Sequence, residues 1–472
     1  MNWKSALFAV AAVAFVPGCL APRYDRPAAP VPQQWPSGPA YPTSQPGSQP
    51  ATSPCEAGQL GWDQFVTDPR LREVIGVALQ TNRDLRLAAL NAERTRLIFG
   101  IERARLLPII DASAGGSRTG VPADLSRTGE PSIVDEASVD VGLTAWEIDF
   151  FGRIRNLAES ARQEYLASEQ AVRGAQIVLV SGVAEAYLSL GARREILDIA
   201  NSTLAAQQAS YELVAKRHDK GLVPELDVDR AQTQVDAARR DVARNTQLVA
   251  QDQNALNLLV GATVPDALLP EGLGSVGQLA EVSPGLSSQV LLSRPDVLEA
   301  EDRLKAMNAN IGAARASLFP RVTLTTAIGT GSDELGGLFA GGSRAWVFAP
   351  QVVMPIFDPR TWYAVRVTQT DKQAAIAQYE RAIQSAFREV ADALAIRGTV
   401  DQQVAAQESL VRATARVYEL AMARYEKGAD SYLSVLDAQQ SLYLSQQALV
   451  ALRLVKVSGQ VRLYAALGGG WR

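Results

Sequence analysis

Histidine is almost missing from these 472 residues: His218 stands alone, beside two cysteines and four methionines. A histidine-rich metal site or a disulfide framework needs more such side chains than the chain supplies. No charge of one sign dominates, because 46 lysines and arginines face 50 aspartates and glutamates. The basic footprint of a nucleic-acid binder is therefore absent. Aromatic residues make up only 6%. A conventional enzyme loses ground on these absences, although carboxylate chemistry stays open. Proline is missing from 132–223, 225–264 and 360–472. Those stretches are dense in Ala, Gln, Glu, Arg and Leu, the residues that accept a helix at least cost. There, Val228, Ala231, Val235, Ala238 and Val242 recur at helical steps. Unbroken, the helix from about 156 to 218 would run roughly 90 Å, longer than a single globular domain holds.

The N-terminus reads as an address. Residues 5–16, SALFAVAAVAFV, follow Lys4 and lead into Pro17-Gly18-Cys19. That run is too short to span a bilayer, which takes about 20 residues, and suits the apolar region of a secretory signal. Cysteine directly after Gly18 resembles a bacterial lipobox, making 1–18 a signal peptide and Cys19 the lipidated mature N-terminus. The alternative is an ordinary signal-peptidase cut with an incidental cysteine. Leu20 is not the aspartate that commonly retains such lipoproteins in the inner membrane, which points to the outer one. Cys55 is left as a free thiol. Ten of the 24 prolines fall between Pro22 and Pro54, so 19–60 reads as an extended or disordered tether.

The remainder repeats. Residues 211–232, YELVAKRHDKGLVPELDVDRAQ, match 418–439, YELAMARYEKGADSYLSVLDAQ, at ten of 22 positions. The same shift pairs Phe150 and Arg153 with Phe357 and Arg360, and Gly261 with Gly468. Ordered matches over much of each half signal internal duplication. The first repeat is 61–264, a linker covers 265–290, and the second repeat is 291–472. Each reads helix, two strands, long helix, turn, helix. The strands fall at about 108–149 and 321–356, where Val139, Val141 and Leu143 alternate with polar neighbours, as do Val322 and Leu324. One apolar face fits strands between lipid and a wet lumen, although an ordinary half-buried sheet has the same period. Four strands cannot close in lipid, so they must be shared between subunits.

In order along the chain stand Trp62, Phe65, Asp68-Pro69, Asn82, Asp84-Leu85, Pro108, Trp146-Glu147-Ile148-Asp149-Phe150-Phe151-Gly152-Arg153 and Pro320. Tyr425-Glu426-Lys427-Gly428 then precedes Leu433, Val435-Leu436 and Asp437-Ala438-Gln439. In these features the chain resembles the outer-membrane factor, or TolC-like, family, in its lipoprotein efflux branch (OprM- and NodT-like). The resemblance implies a mainly α fold with a small membrane β-barrel part: a homotrimer sharing four strands per subunit, and long helices forming a periplasmic α-barrel. It implies a passive outer-membrane duct that docks a periplasmic adaptor and an inner-membrane transporter, without a cofactor beyond the lipid on Cys19. A pore-free, lipid-anchored periplasmic coiled-coil scaffold is the alternative, as is an export duct for a protein or signal molecule.

No motif for bond-making chemistry stands out. His218 reads as a solvated helix-end residue. Gly329-Thr330-Gly331 lacks the Lys-Ser/Thr of a phosphate loop and reads as a strand tip. Asp227 and Asp229, two apart, lie on different helix faces. The turns Lys220-Gly221 and Lys427-Gly428 matter more, since glycine closes a helix in the left-handed conformation. By resemblance they are adaptor contacts at the periplasmic tip. Leu433 matches an apolar gate ring, Asp437 a carboxylate ring, and Tyr425 and Asp227 match partners holding the coils shut. Asp430 stands where family members often carry a basic residue, and Ser434 replaces a second aspartate.

Overall fold

A computed structural model of the chain describes residues 20–41, 60–282 and 287–471. The expected signal peptide (1–18), Cys19 and Cys55 lie outside the described residues. Two short helices, α1 (Trp62–Phe65) and α2 (Pro69–Thr81), come first. The first repeat continues as α3 (Arg83–Ala104), β1 (Asp111–Val121), β2 (Ser132–Ile148), α4 (Arg153–Asp219) and α5 (Glu225–Val260). The second gives α6 (Pro295–Ala316), β3 (Arg321–Ser332), β4 (Arg344–Val353), α7 (Pro359–Glu426) and α8 (Tyr432–Ala466). The order helix, two strands, long helix, turn, helix thus occurs twice, as the duplication predicts. Helices α4 and α7, of 67 and 68 residues, run unbroken, each about 100 Å long at ~1.5 Å per residue. The chain divides into two compact units.

One unit holds 20–28, 91–168 and 299–379 of the described residues. Its sheet is antiparallel, in the order β1-β2-β3-β4. Register decides the faces, because residues opposite each other share a side and neighbours alternate. Ala112 faces Val141, Val141 faces Ile328, and Ile328 faces Trp346. Leu143, Thr326 and Phe348 form the next row, and Val322 pairs with Val352. That side is apolar. The other carries Asp111, Ser113, Asp140, Thr323, Thr325 and Gln351, with the Ser113 hydroxyl donating to Asp140 at 2.8 Å. Strand β4 departs from strict alternation, since Val347, Ala349 and Val353 fall on the polar side; every residue of β4 is exposed in the protomer.

A bulge keeps β2 in phase. Leu143 pairs with Thr326 and Trp146 with Leu324, so Thr144 and Ala145 together oppose Thr325. Ala145 takes φ 52°, and its N–H donates to the Thr325 hydroxyl at 3.1 Å. Without the extra residue Trp146 would turn to the polar side. Gly329 is no phosphate loop but a point of close strand approach: a Cβ there would lie 2.1 Å from the Val139 carbonyl oxygen.

The second unit holds 29–90, 169–298 and 380–472. Asp68 caps α2, accepting from the N–H groups of Arg70 and Leu71, with Pro69 in the first turn. Tyr464 stacks on Phe65 with ring centroids 4.0 Å apart, and its hydroxyl donates to the Leu60 carbonyl at 2.7 Å. The Tyr187 hydroxyl holds the linker at Leu268, 2.9 Å away. The sequence shows no long uninterrupted apolar run, yet α4 contains an 18-residue window of mean hydropathy 1.4, 56% of it buried inside the protomer. Small and aliphatic residues such as Val183, Ala184 and Leu188 make that stretch a packed core.

Candidate functional site at the paired helix turns

The two duplicated turns fold alike. Helix α4 ends with Gly221 N–H donating to His218 at 2.7 Å and Leu222 N–H to Arg217 at 2.9 Å. Helix α7 repeats this, Gly428 donating to Tyr425 and Ala429 to Arg424, both at 2.9 Å. These are Schellman closures, which need a left-handed residue after the helix. Gly221 has φ 70° and Gly428 φ 75°. Lys220, Gly221, Lys427 and Gly428 are all exposed. His218 stays within its own turn, its Nδ1 lying 3.0 Å from the Val223 carbonyl.

Behind the turns both hairpins share one apolar cluster: Val214 and Ala231 from the first, Ala421, Tyr425, Tyr432, Val435 and Ala438 from the second. The Tyr425 and Tyr432 rings lie 5.2 Å apart. Neither hydroxyl closes a well-formed hydrogen bond among the described residues, although Ser210 stands near Tyr432 and Arg217 near Tyr425. Burial pushes the Tyr432 phenol up to about 12. Burial also raises Tyr425, with the Arg217 charge opposing and the Asp227 charge adding. Asp227 itself pairs with Arg230, one turn along, at 3.5 Å, and makes no hydrogen bond to Tyr425 within the protomer.

A direct polar link between the hairpins is Arg217, which sequence reasoning missed. Its guanidinium lies 4.8 Å from the Tyr425 ring centroid, and its Nη1 donates to the Tyr425 carbonyl at 2.9 Å. A signal existed in the repeat: Arg217 and Arg424 each stand four residues before the turn glycine. Arg424 does something else. It pairs with Asp430 at 3.3 Å, while Asp430 also accepts from Ser431 N–H at 2.8 Å and the Ser434 hydroxyl at 3.1 Å. The Ser431 and Ser434 bonds, with Arg424 adding, hold the Asp430 carboxyl below the usual range. So Asp430 and Ser434 serve each other inside one hairpin.

Leu433 and Asp437 point the other way. Tyr432, Val435 and Ala438 are buried, whereas Leu433 is 57% exposed and Asp437 is exposed too. Four residues apart, they share one outward stripe of α8. Among the described residues no group of three or more His, Cys, Asp or Glu is arranged to hold a metal ion.

The outer membrane efflux protein family model matches residues 74–262 and 286–469. The toluene efflux pump outer membrane protein TtgC of Pseudomonas putida is 44% identical over 468 residues, 98% of this chain and 96% of that protein. Outer membrane protein OprJ of Pseudomonas aeruginosa is 40% identical, over 96% of this chain and 93% of its own length. The crystal structure of the open state of the Neisseria gonorrhoeae MtrE outer membrane channel superimposes with a TM-score of 0.83 at 35% identity, covering 96% of this chain and 98% of that one. With its duplicated long helices and four-stranded sheet, the chain belongs to the outer membrane efflux protein family and is an outer-membrane efflux channel component.

Proposed function

We propose that this chain is the passive exit duct of a tripartite efflux system, resting closed where the Leu433–Asp437 stripe meets its copies. The observation supporting this most is the sheet, with one apolar face, one polar face and unpaired edges at β1 and β4. Open strand edges are not tolerated in lipid. Three copies supply twelve strands from four each, joining β4 to β1 around a water-filled lumen lined by the polar face. The long helices carry the duct into the periplasm. A periplasmic adaptor docks on the exposed Lys220-Gly221 and Lys427-Gly428 turns, and an inner-membrane transporter supplies energy and selects cargo. The duct makes and breaks no bonds. Cys19 carries lipid and adds an anchor independent of the barrel.

At rest, copies of Leu433 form an apolar constriction and copies of Asp437 a carboxylate ring. Like charges so close repel, and the ring attracts cations. Arg217 binds the α7–α8 hairpin to the α4–α5 hairpin, while Tyr425 and Asp227 complete the closed contact. Adaptor binding favours the open arrangement and shifts the population towards it. The name of the TtgC relative suggests small organic molecules as cargo. Purified protein should run as a trimer by detergent-corrected light scattering and give discrete conductance steps in planar bilayers. A folded monomer without conductance would leave the scaffold reading instead.

A further inference from the structure

The start of the described chain runs along one stripe of α6. The Leu20 carbonyl accepts from Arg315 Nη1 at 3.3 Å, and the Pro22 carbonyl from Asn308 Nδ2 at 2.8 Å. Between them Ala21 lies over Gly312, where a Cβ would come within 2.8 Å of the Ala21 Cβ. Lys305 Nζ sits 5.8 Å from the Tyr24 ring centroid. The Tyr24 hydroxyl donates to one Glu301 oxygen at 3.2 Å, and Arg26 pairs with the other. The helix partners 315, 312, 308, 305 and 301 fall three or four apart, so they occupy a single face.

The lengths agree. From Leu20 to Arg26, extended chain covers about 20 Å at ~3.3 Å per residue, and α6 rises about 21 Å from 301 to 315 at ~1.5 Å per residue. The segment has no helix or strand of its own, so α6 side chains provide its track. Asn308 is held in turn by Lys372 Nζ, 2.8 Å from its Oδ1. Glu301 is only 5% exposed. Removing Tyr24 and Arg26 would leave that buried carboxylate with Lys305, 3.6 Å away on its own helix, and a buried charge short of partners is costly.

We propose that residues 20–26 are a strap clamped by Glu301, which holds the acylated end of the chain where α6 ends and β3 begins. Its lipid consequence rests on the acylation of Cys19 proposed above. Leu20, the residue after the acylated cysteine, is then held at Arg315 near the start of β3, so the lipid does not hang on slack chain. Glu301 is a positioning residue: it touches no cargo, and it acts through Tyr24 and Arg26.

Limited trypsin digestion of the full-length protein in detergent tests the clamp. Arg23 is exposed and precedes Tyr24, whereas Arg26 precedes Pro27, a bond trypsin skips. Cleavage after Arg23 requires the strap to lift, so its rate reports local opening. Wild type should be cut slowly, and Glu301→Ala at least tenfold faster. A Tyr24→Phe/Arg26→Ala variant, which leaves α6 intact, should be cut equally fast and decides the matter if Glu301→Ala misfolds. Wild-type cleavage as fast as in the strap-side variant overturns the clamp. The mass of the released Cys19–Arg23 peptide reads acylation separately: an unlipidated peptide overturns the anchor while leaving the clamp to the rates.

Discussion

Replacing Arg217 by alanine removes a guanidinium stacked on Tyr425 and a charged hydrogen bond to the Tyr425 carbonyl. Stacking of this kind contributes roughly 0.5–2 kcal/mol, and a charged hydrogen bond about 1.5–3 kcal/mol. Arg217 is half-buried, so solvent screening reduces both, to about 2 kcal/mol per protomer. That amounts to roughly a 30-fold change in the ratio of docked to released hairpins. Three protomers opening together would compound it. Single-channel recordings in planar bilayers should therefore show a marked rise in open probability for Arg217→Ala. Arg217→Lys should fall between, keeping the charge but losing the planar fork. Tyr425→Phe should change little, because it deletes a hydroxyl that closes no well-formed hydrogen bond in the protomer and keeps the ring that Arg217 stacks on. The opposite pattern, an unchanged Arg217→Ala channel with Tyr425→Phe open, would refute the reasoning and move the lock to the hydroxyl.

Asp437→Ala should raise conductance and lower cation preference, read as a smaller reversal potential across a salt gradient; no change in either returns Asp437 to a solvated helix residue. Cys19→Ser should abolish metabolic palmitate labelling while leaving some protein in the outer membrane through its strands, and unchanged labelling would refute lipidation at that residue. Asp430 has a lowered pKa, so its contribution to the α7–α8 turn is present above the ordinary value of 3.8 and is lost as pH falls through the lowered one. Thermal unfolding of Asp430→Asn and wild type should accordingly differ by the same amount at about pH 8 and about pH 5, converging only below about pH 4.

The large architecture was legible because it rests on local rules that a sequence states openly. Missing prolines permit α4 and α7 to run unbroken, and Pro359 opens the second of them. The twin glycines require the left-handed turns that both hairpins adopt. Alternation at Val139, Val141 and Leu143 gives one apolar face. What escaped the sequence is what depends on three dimensions. The bulge at Ala145 has no signature, because alanine rarely takes positive φ. The partner of Arg217 lies 208 positions away, and no spacing rule connects them. By resemblance Tyr425 and Asp227 match partners that hold the coils shut, and the sequence does not show that within the protomer Asp227 pairs with Arg230 on its own helix. The order of the strap beside α6 was equally hidden, since a proline-rich segment looks the same in sequence whether or not a helix face receives it.

On the proposed gate, duplication explains why one hairpin would carry the constriction and the other would hold it. Both turns inherit an arginine four residues before glycine, but their surroundings have diverged. In the second hairpin Asp430 takes up Arg424 locally, leaving that turn satisfied without help from its neighbour. In the first, the position of Asp430 is filled by Val223, which has no carboxylate to offer, and Arg217 reaches across to Tyr425 instead. Tyr425 occupies the position that His218 fills in the first repeat, so the difference at that one position supplies the buried ring that Arg217 meets. The link is one-sided. The second hairpin can keep its own turn intact while losing the first, and a gate that opens as a rigid body needs that property. In the proposed opening, Leu433 and Asp437 would move with a turn whose internal bonds, from Ser431, Ser434 and Arg424 to Asp430, need not break.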